Sequence, residues 1–177
     1  MRVVLAPLFF AVYFLNNAIW TVPLLWAIFV VSEITDMLDG MAARRLNQTS
    51  DFGRLFDPFA DTLMQVTCFL CFSIDGIIPA ALFLVVLYRE FAILFIRNLM
   101  LKKGVTMGAR ISGKIKTVTY IAAAAAVLFY VSLLRLGAAE PLQPILKTAA
   151  VVIFGVSVLF SIVSFIDYVT VYRNSGK

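Results

Sequence analysis

The sequence predicts an all-α fold, a polytopic membrane bundle of about six transmembrane helices, and three observations predict it. Hydrophobic residues make up 62% of the 177-residue chain and charged residues only 14%, where soluble domains carry about 25% charged residues. That much apolar side chain, with a mean hydropathy of +0.97, exceeds what one small globule can hide, so lipid must solvate the remainder. The apolar residues also fall in six stretches separated by short polar hinges, and the basic residues cluster in alternate hinges.

The stretches lie at about 3–15, 18–39, 59–76, 77–100, 117–137 and 145–170. Polar breaks fall between them at Asn16-Asn17, Asn47–Ser50, Asp75-Gly76, Lys102–Gly113 and Ala138–Pro144. Met1-Arg2 followed by apolar Val3–Leu15 imitates a signal peptide, but no small-residue cleavage site follows, so this stretch reads as a retained first span. In the third stretch Cys68 and Cys71 form a CxxC. Its apolar setting and the lack of further ligands make them packing residues rather than a redox or zinc pair. The alanines 122–126 of the fifth stretch let neighbouring helices approach closely. No repeat or low-complexity tract divides the chain, which reads as a single domain over 1–177.

Loop charge orients this bundle. Arg44, Arg45 and Arg54 lie between the second and third spans; Lys102, Lys103, Arg110, Lys114 and Lys116 lie between the fourth and fifth; Arg173 and Lys177 follow the sixth. The opposite loops hold only Arg135 and Lys147. The positive-inside rule puts both termini and the two basic loops in the cytosol. The net charge of +5 therefore reflects topology and gives no sign of nucleic-acid binding. Histidine is absent, so chemistry must rest on carboxylates, Lys/Arg and hydroxyls.

The carboxylates gather in one place. Asp36 and Asp39, three apart, share a helix face at the cytosolic end of the second span. Asp57 and Asp61, four apart, open the third span, with Gly53 one turn earlier. A short loop lets all four reach one membrane depth. An ionised Asp at a helix centre costs about 2.5–3.5 kcal/mol on insertion scales, and four together repel one another. Hard divalent cations relieve both, and Mg²⁺ in particular combines carboxylates with substrate phosphates. The competing readings are a solvated charge cluster paired with Arg44, Arg45 and Arg54, or the carboxylate site of a cation transporter. A transporter of that kind tends to show inverted repeats and broken midplane helices, and neither is visible.

The spacing Asp36-x-x-Asp39-Gly40-x-x-Ala43-Arg44, then eight residues to Gly53, then Asp57 and Asp61, resembles the signature of the CDP-alcohol phosphotransferase family. The resemblance extends over nearly the whole chain. It implies a six-span membrane enzyme with a cytosolic active site and two metal ions, Mg²⁺ or Mn²⁺. Asp36, Asp39, Asp57 and Asp61 would be the ligands, with Asp61 also the general base. Gly40, Ala43 and Gly53 would let the CDP-lipid donor approach the backbone, and Arg44 would neutralise its pyrophosphate. The segments Tyr88-Arg89-Glu90 and Ser112–Thr117 resemble the phosphatidylglycerophosphate synthases of that family. This implies CDP-diacylglycerol as donor and sn-glycerol 3-phosphate as acceptor, its phosphate held by Arg89, Arg97 and Lys114, in a homodimer. Inositol phosphate or another alcohol is the alternative acceptor. An ion pair of Arg97 with Glu90, seven residues earlier on nearly the same stripe, is the structural alternative for Arg97.

Gly108–Lys114 reads GARISGK, near a Walker A loop, but Ile115 replaces the required Ser/Thr and no βαβ context precedes it. Two departures from the family pattern remain. Thr62 stands where the phosphatidylglycerophosphate synthases often carry Lys. The chain also opens at Met1-Arg2 where members carry an amphipathic segment ending Asn-x-x-Thr-x-x-Arg, as though that segment were missing or the start codon misplaced.

Overall fold

A computed structural model describes the backbone of residues 1–15, 17–46, 51–102 and 111–174, and side chains except at 36–46, 51–55, 57, 102 and 174. Six α-helices run in order: α1 (Arg2–Leu15), α2 (Thr21–Leu46), α3 (Asp51–Ile74), α4 (Ala80–Lys102), α5 (Ile111–Arg135) and α6 (Gln143–Asn174). A 3-10 turn over Glu140–Leu142 precedes α6. Among the described residues there is no strand, so the all-α expectation holds. The hinges Asn47–Ser50 and most of Lys102–Gly113 lie outside the described residues.

The helices outrun the apolar stretches that announced them. α2 continues to Leu46 and α3 starts at Asp51, so polar turns protrude beyond the part that hydropathy detects. The acidic motif is consequently helical on both sides of its loop. α5 and the segment Glu140–Arg173 are long and apolar enough to cross a bilayer. At 14 residues, α1 rises only about 21 Å against a hydrocarbon core of about 30 Å. The protein is an integral membrane protein.

Two connections follow directly from glycine. Gly76 adopts φ 67° and Gly137 φ 62°, in the left-handed region that a side chain resists. Each ends its helix with the paired bonds of a Schellman motif. Ile77 N–H donates to Phe72 O at 3.0 Å and Gly76 N–H to Ser73 O at 3.1 Å; Ala138 N–H donates to Leu133 O at 3.0 Å and Gly137 N–H to Leu134 O at 3.1 Å. These caps reverse the chain after α3 and after α5.

In the bundle α1 packs on α2 and α3, α3 on α4 and α5, and α6 on α4 and α5. The core holds Phe9, Phe69, Phe72, Tyr120, Val127 and Phe154, with Ala123 fully buried where the helices approach. Phe69 meets Tyr120 edge-on at 5.3 Å and Phe154 at 4.9 Å, joining α3, α5 and α6. Cys68 and Cys71 are free thiols buried in this core, as the packing reading requires. At one end of the bundle Arg135 ties α5 to its neighbours, donating to Thr21 Oγ1 at 2.6 Å and to Tyr13 O at 2.7 Å. The opposite end gathers the start of α1, α3 and α5 and the close of α4 and α6, and the candidate site lies there.

Candidate active site

Asp61 stands one turn after Asp57 on α3, half-buried, with 35% of its side chain exposed. Its Oδ1 accepts from Gln65 Nε2 at 3.2 Å and lies 3.5 Å from Arg2 NH1. Arg2 is itself held across the bundle by donating Nε to Ser32 O at 3.3 Å. Both contacts fall on Oδ1, so among the described residues Oδ2 keeps its lone pairs for something else.

Asp61 borders a cleft of about 190 Å³ between α3, α4, α5 and α6. Arg89, Glu90, Arg97, Lys114, Lys116 and Tyr168 are the other charged or phenolic groups on its wall. The three cationic residues expected at the acceptor thus share one cleft with Asp61, although they come from two helices. Arg97 donates NH2 to Tyr168 Oη at 3.0 Å and sits 5.5 Å from the centre of that ring. Its Nε is buried and has no hydrogen-bond partner among the described residues. Lys114 is exposed at the cleft edge. Gly113 admits Tyr168, because a Cβ there would stand 3.3 Å from Tyr168 Oη.

Arg89 is committed differently. It is buried, donates Nε to Ser161 O at 3.1 Å and NH1 to Glu90 Oε1 at 2.7 Å. Glu90 does not pair with Arg97, so the ion pair anticipated from the seven-residue spacing is replaced by another. Its Oε1 takes Arg89 and, at 3.0 Å, Lys116 Nζ from α5. Lys116 also donates to Gln65 Oε1 at 3.1 Å and lies 4.2 Å over the Tyr120 ring. Glu90 and Arg97 share a stripe of α4 but stand about 10.5 Å apart along it, and Lys116 of α5 comes within 3.0 Å of Glu90 instead.

Of the remaining expected residues, Asp36, Asp39, Gly40, Ala43 and Arg44 lie in the last turns of α2, and Gly53 and Asp57 in the first turns of α3. Their side chains are outside the described residues. Among those described, no three His, Cys, Asp or Glu residues gather as a metal site. Asp61 alone of the four aspartates can be judged, and its carboxylate on the cleft wall is a hard oxygen donor of the kind a divalent cation takes.

Sequence reasoning missed Arg2, Gln65, Lys116 and Tyr168. Gln65 was within reach, since it stands four residues after Asp61 and such pairs face each other on a helix. Lys116 had been counted with the basic loop, yet a lysine two positions beyond Lys114 in a helix must face nearly the other way. Tyr168 and Arg2 carried no local signal; only packing brings them to the cleft.

A family model described as CDP-alcohol phosphatidyltransferase matches residues 1–163. The chain is similar to the CDP-diacylglycerol–glycerol-3-phosphate 3-phosphatidyltransferase of Treponema pallidum, at 37% identity over 82% of this chain and 68% of that one. It is also similar to a probable phosphatidylglycerophosphate synthase of Mycobacterium tuberculosis, 30% identical over 96% of this chain and 76% of that protein. A third likeness is to the CDP-diacylglycerol–glycerol-3-phosphate 3-phosphatidyltransferase of Salmonella typhimurium, 33% identical over 72% of each.

Proposed function

Because the chain belongs to the CDP-alcohol phosphatidyltransferase family, we propose that it transfers a phosphatidyl group from CDP-diacylglycerol to sn-glycerol 3-phosphate. The products are CMP and phosphatidylglycerophosphate, and the setting is phospholipid biosynthesis. The names of its relatives support the same acceptor. The observation that carries the reading is the charge of the cleft. Four cations (Arg89, Arg97, Lys114 and Lys116) face two carboxylates (Asp61 and Glu90), leaving two formal positive charges over, the complement of a phosphate monoester dianion.

Arg97 and Lys114 hold the acceptor phosphate, and the unpartnered Arg97 Nε gains its acceptor there. Charge-assisted bonds of this kind are about twice as strong as neutral ones. The glycerol hydroxyl then lies beside Asp61, whose Oδ2 takes the proton as that oxygen attacks the phosphatidyl phosphorus. The bond from phosphorus to CMP breaks as the new ester forms. Arg44 neutralises the donor pyrophosphate, while Gly40, Ala43 and Gly53 leave room for the nucleotide. Mg²⁺ or Mn²⁺, held by Asp36, Asp39, Asp57 and Asp61, would supply positive charge against the pyrophosphate and the departing CMP. The cleft opens at the end of the bundle that carries the basic loops, which supports a cytosolic active site. The family resemblance supports a homodimer, which crosslinking in native membranes would test.

The reading is tested by CMP release from the purified protein with CDP-diacylglycerol and a panel of acceptors. Glycerol 3-phosphate is expected to give the highest kcat/KM. Preference for inositol phosphate or free glycerol would replace the acceptor and leave the reaction class standing. Absence of CMP release with every acceptor would remove both.

A further inference from the structure

We propose that Gln65 is a positioning residue for Asp61, and that Lys116 and Glu90 set the direction in which its amide points. The inference rests on the reading of Asp61 as the proton acceptor. Gln65 is buried, 7% exposed, and both ends of its amide are used. Nε2 donates to Asp61 Oδ1 at 3.2 Å, and Oε1 accepts from Lys116 Nζ at 3.1 Å.

An amide can present either end to a neighbour, but an ammonium only donates. Lys116 therefore requires the oxygen of Gln65, and the NH₂ is left facing Asp61. Lys116 is in turn held by Glu90 Oε1 at 3.0 Å, and Glu90 by Arg89, which is fastened to the α6 backbone at Ser161 O. Every member of this chain is less than a tenth exposed, so water has little access to these bonds. The chain ends on one oxygen of Asp61, which Arg2 approaches from the other side at 3.5 Å. With Oδ1 held by both contacts, the carboxylate is restrained, and Oδ2 is the oxygen left for the substrate. Lys116 spends its hydrogen bonds on Gln65 and Glu90 and makes no direct bond to Asp61. Asp61 is thereby oriented by a neutral donor beside its 3.5 Å ion pair with Arg2.

The opposing explanation is that Gln65 merely gives Lys116 a buried partner. Two variants separate the explanations, because they rank them in opposite orders. Gln65→Glu keeps the size of the side chain and an acceptor for Lys116 but turns a carboxylate against Asp61 Oδ1. Gln65→Met keeps the length and removes both bonds. Both are assayed for CMP release beside the unaltered protein, with buffer alkaline enough to ionise the new carboxylate. Thermal unfolding of the metal-free protein in detergent is followed in parallel.

If Gln65 positions Asp61, kcat falls in both and further in Gln65→Glu, roughly ten- to hundredfold for a misplaced catalytic group. The KM for either substrate stays close to that of the unaltered protein, and Gln65→Glu unfolds no earlier than Gln65→Met. An equal or higher kcat for Gln65→Glu than for Gln65→Met overturns the proposal, as does a Gln65→Met protein with unchanged kcat. Should Gln65→Glu fail to fold, Gln65→Met is compared with Gln65→Met/Lys116→Met, in which no lysine is left needing that partner: a kcat that stays low supports the proposal, and a recovered kcat overturns it. Turnover by the unaltered protein tests the functional reading separately, so its failure cannot be mistaken for failure of this one.

Discussion

At the scale of single residues, the cleft divides its cations by what each already holds. Among the described residues Arg97 has a buried Nε without a partner and an NH2 on Tyr168 Oη at 3.0 Å, which leaves it donors to spend on a ligand. Arg89 has two of its nitrogens engaged by the protein. Arg97→Ala is therefore expected to raise the KM for the acceptor roughly tenfold or more, as loss of a bond between charged partners does. The KM for CDP-diacylglycerol should move little, and steady-state kinetics with each substrate varied in turn checks the split. Equal weakening of both substrates would make Arg97 a structural residue acting through Tyr168. Arg44→Ala is expected to show the reverse split, because its proposed partner is the donor pyrophosphate. Asp61→Asn keeps the volume and the bond from Arg2 but removes the proton acceptor. A fall in kcat of about 10²- to 10⁴-fold is expected, with CDP-lipid binding retained by equilibrium dialysis; full activity would move the base elsewhere.

Between elements, the buried group Arg89–Glu90–Lys116 is what joins α4 to α5 and, through Ser161 O, to α6. Glu90 alone balances two cations that are nearly as buried as it is, with side-chain exposures of 7% and 8% against its own 5%. Removing one member of such a group leaves uncompensated charge, which costs about 3–5 kcal/mol. Glu90→Ala is accordingly expected to be strongly destabilising, with a lowered thermal midpoint and poor recovery in detergent. Combining it with Lys116→Met removes one of the stranded charges, so the double variant should be more stable than Glu90→Ala. A double variant whose loss equals the sum of the two single losses would show that Glu90 and Lys116 do not interact. Ser112 strengthens the same corner by donating to Asp167 Oδ2 at 2.6 Å, which fastens the first turn of α5 to the end of α6.

For the whole molecule, the alternation of helix directions places the polar cleft at one end and the Arg135 clasp at the other. Positions 45 and 110, in the two basic hinges, are expected on the cytosolic side. Single cysteines at these positions in a background without Cys68 and Cys71 should resist a membrane-impermeant maleimide applied to intact cells and react after lysis. Labelling at position 45 from outside would invert the topology. Turnover should stop with EDTA and return with Mg²⁺ or Mn²⁺, since the four carboxylates proposed as ligands would repel a pyrophosphate unless cations intervene. Undiminished turnover in rigorously metal-free buffer would dismiss the metal role.

Sequence alone determined the class of this protein. Its 62% hydrophobic content dictates a membrane bundle, and Asp75-Gly76 marks one of its turns. The acidic motif was equally legible, because residues three or four apart on a helix share a face whatever the helix packs against. Only the tertiary structure decided which partners the buried charges take. Glu90 turned to Lys116 on another helix instead of Arg97 on its own, Gln65 became the link between Asp61 and Lys116, and Tyr168 reached Arg97 across 71 residues of chain. Helical periodicity predicts neighbours within one element. A buried charge, unable to use water, takes the nearest complement that packing brings, and that complement sits on another helix at no fixed spacing in the chain.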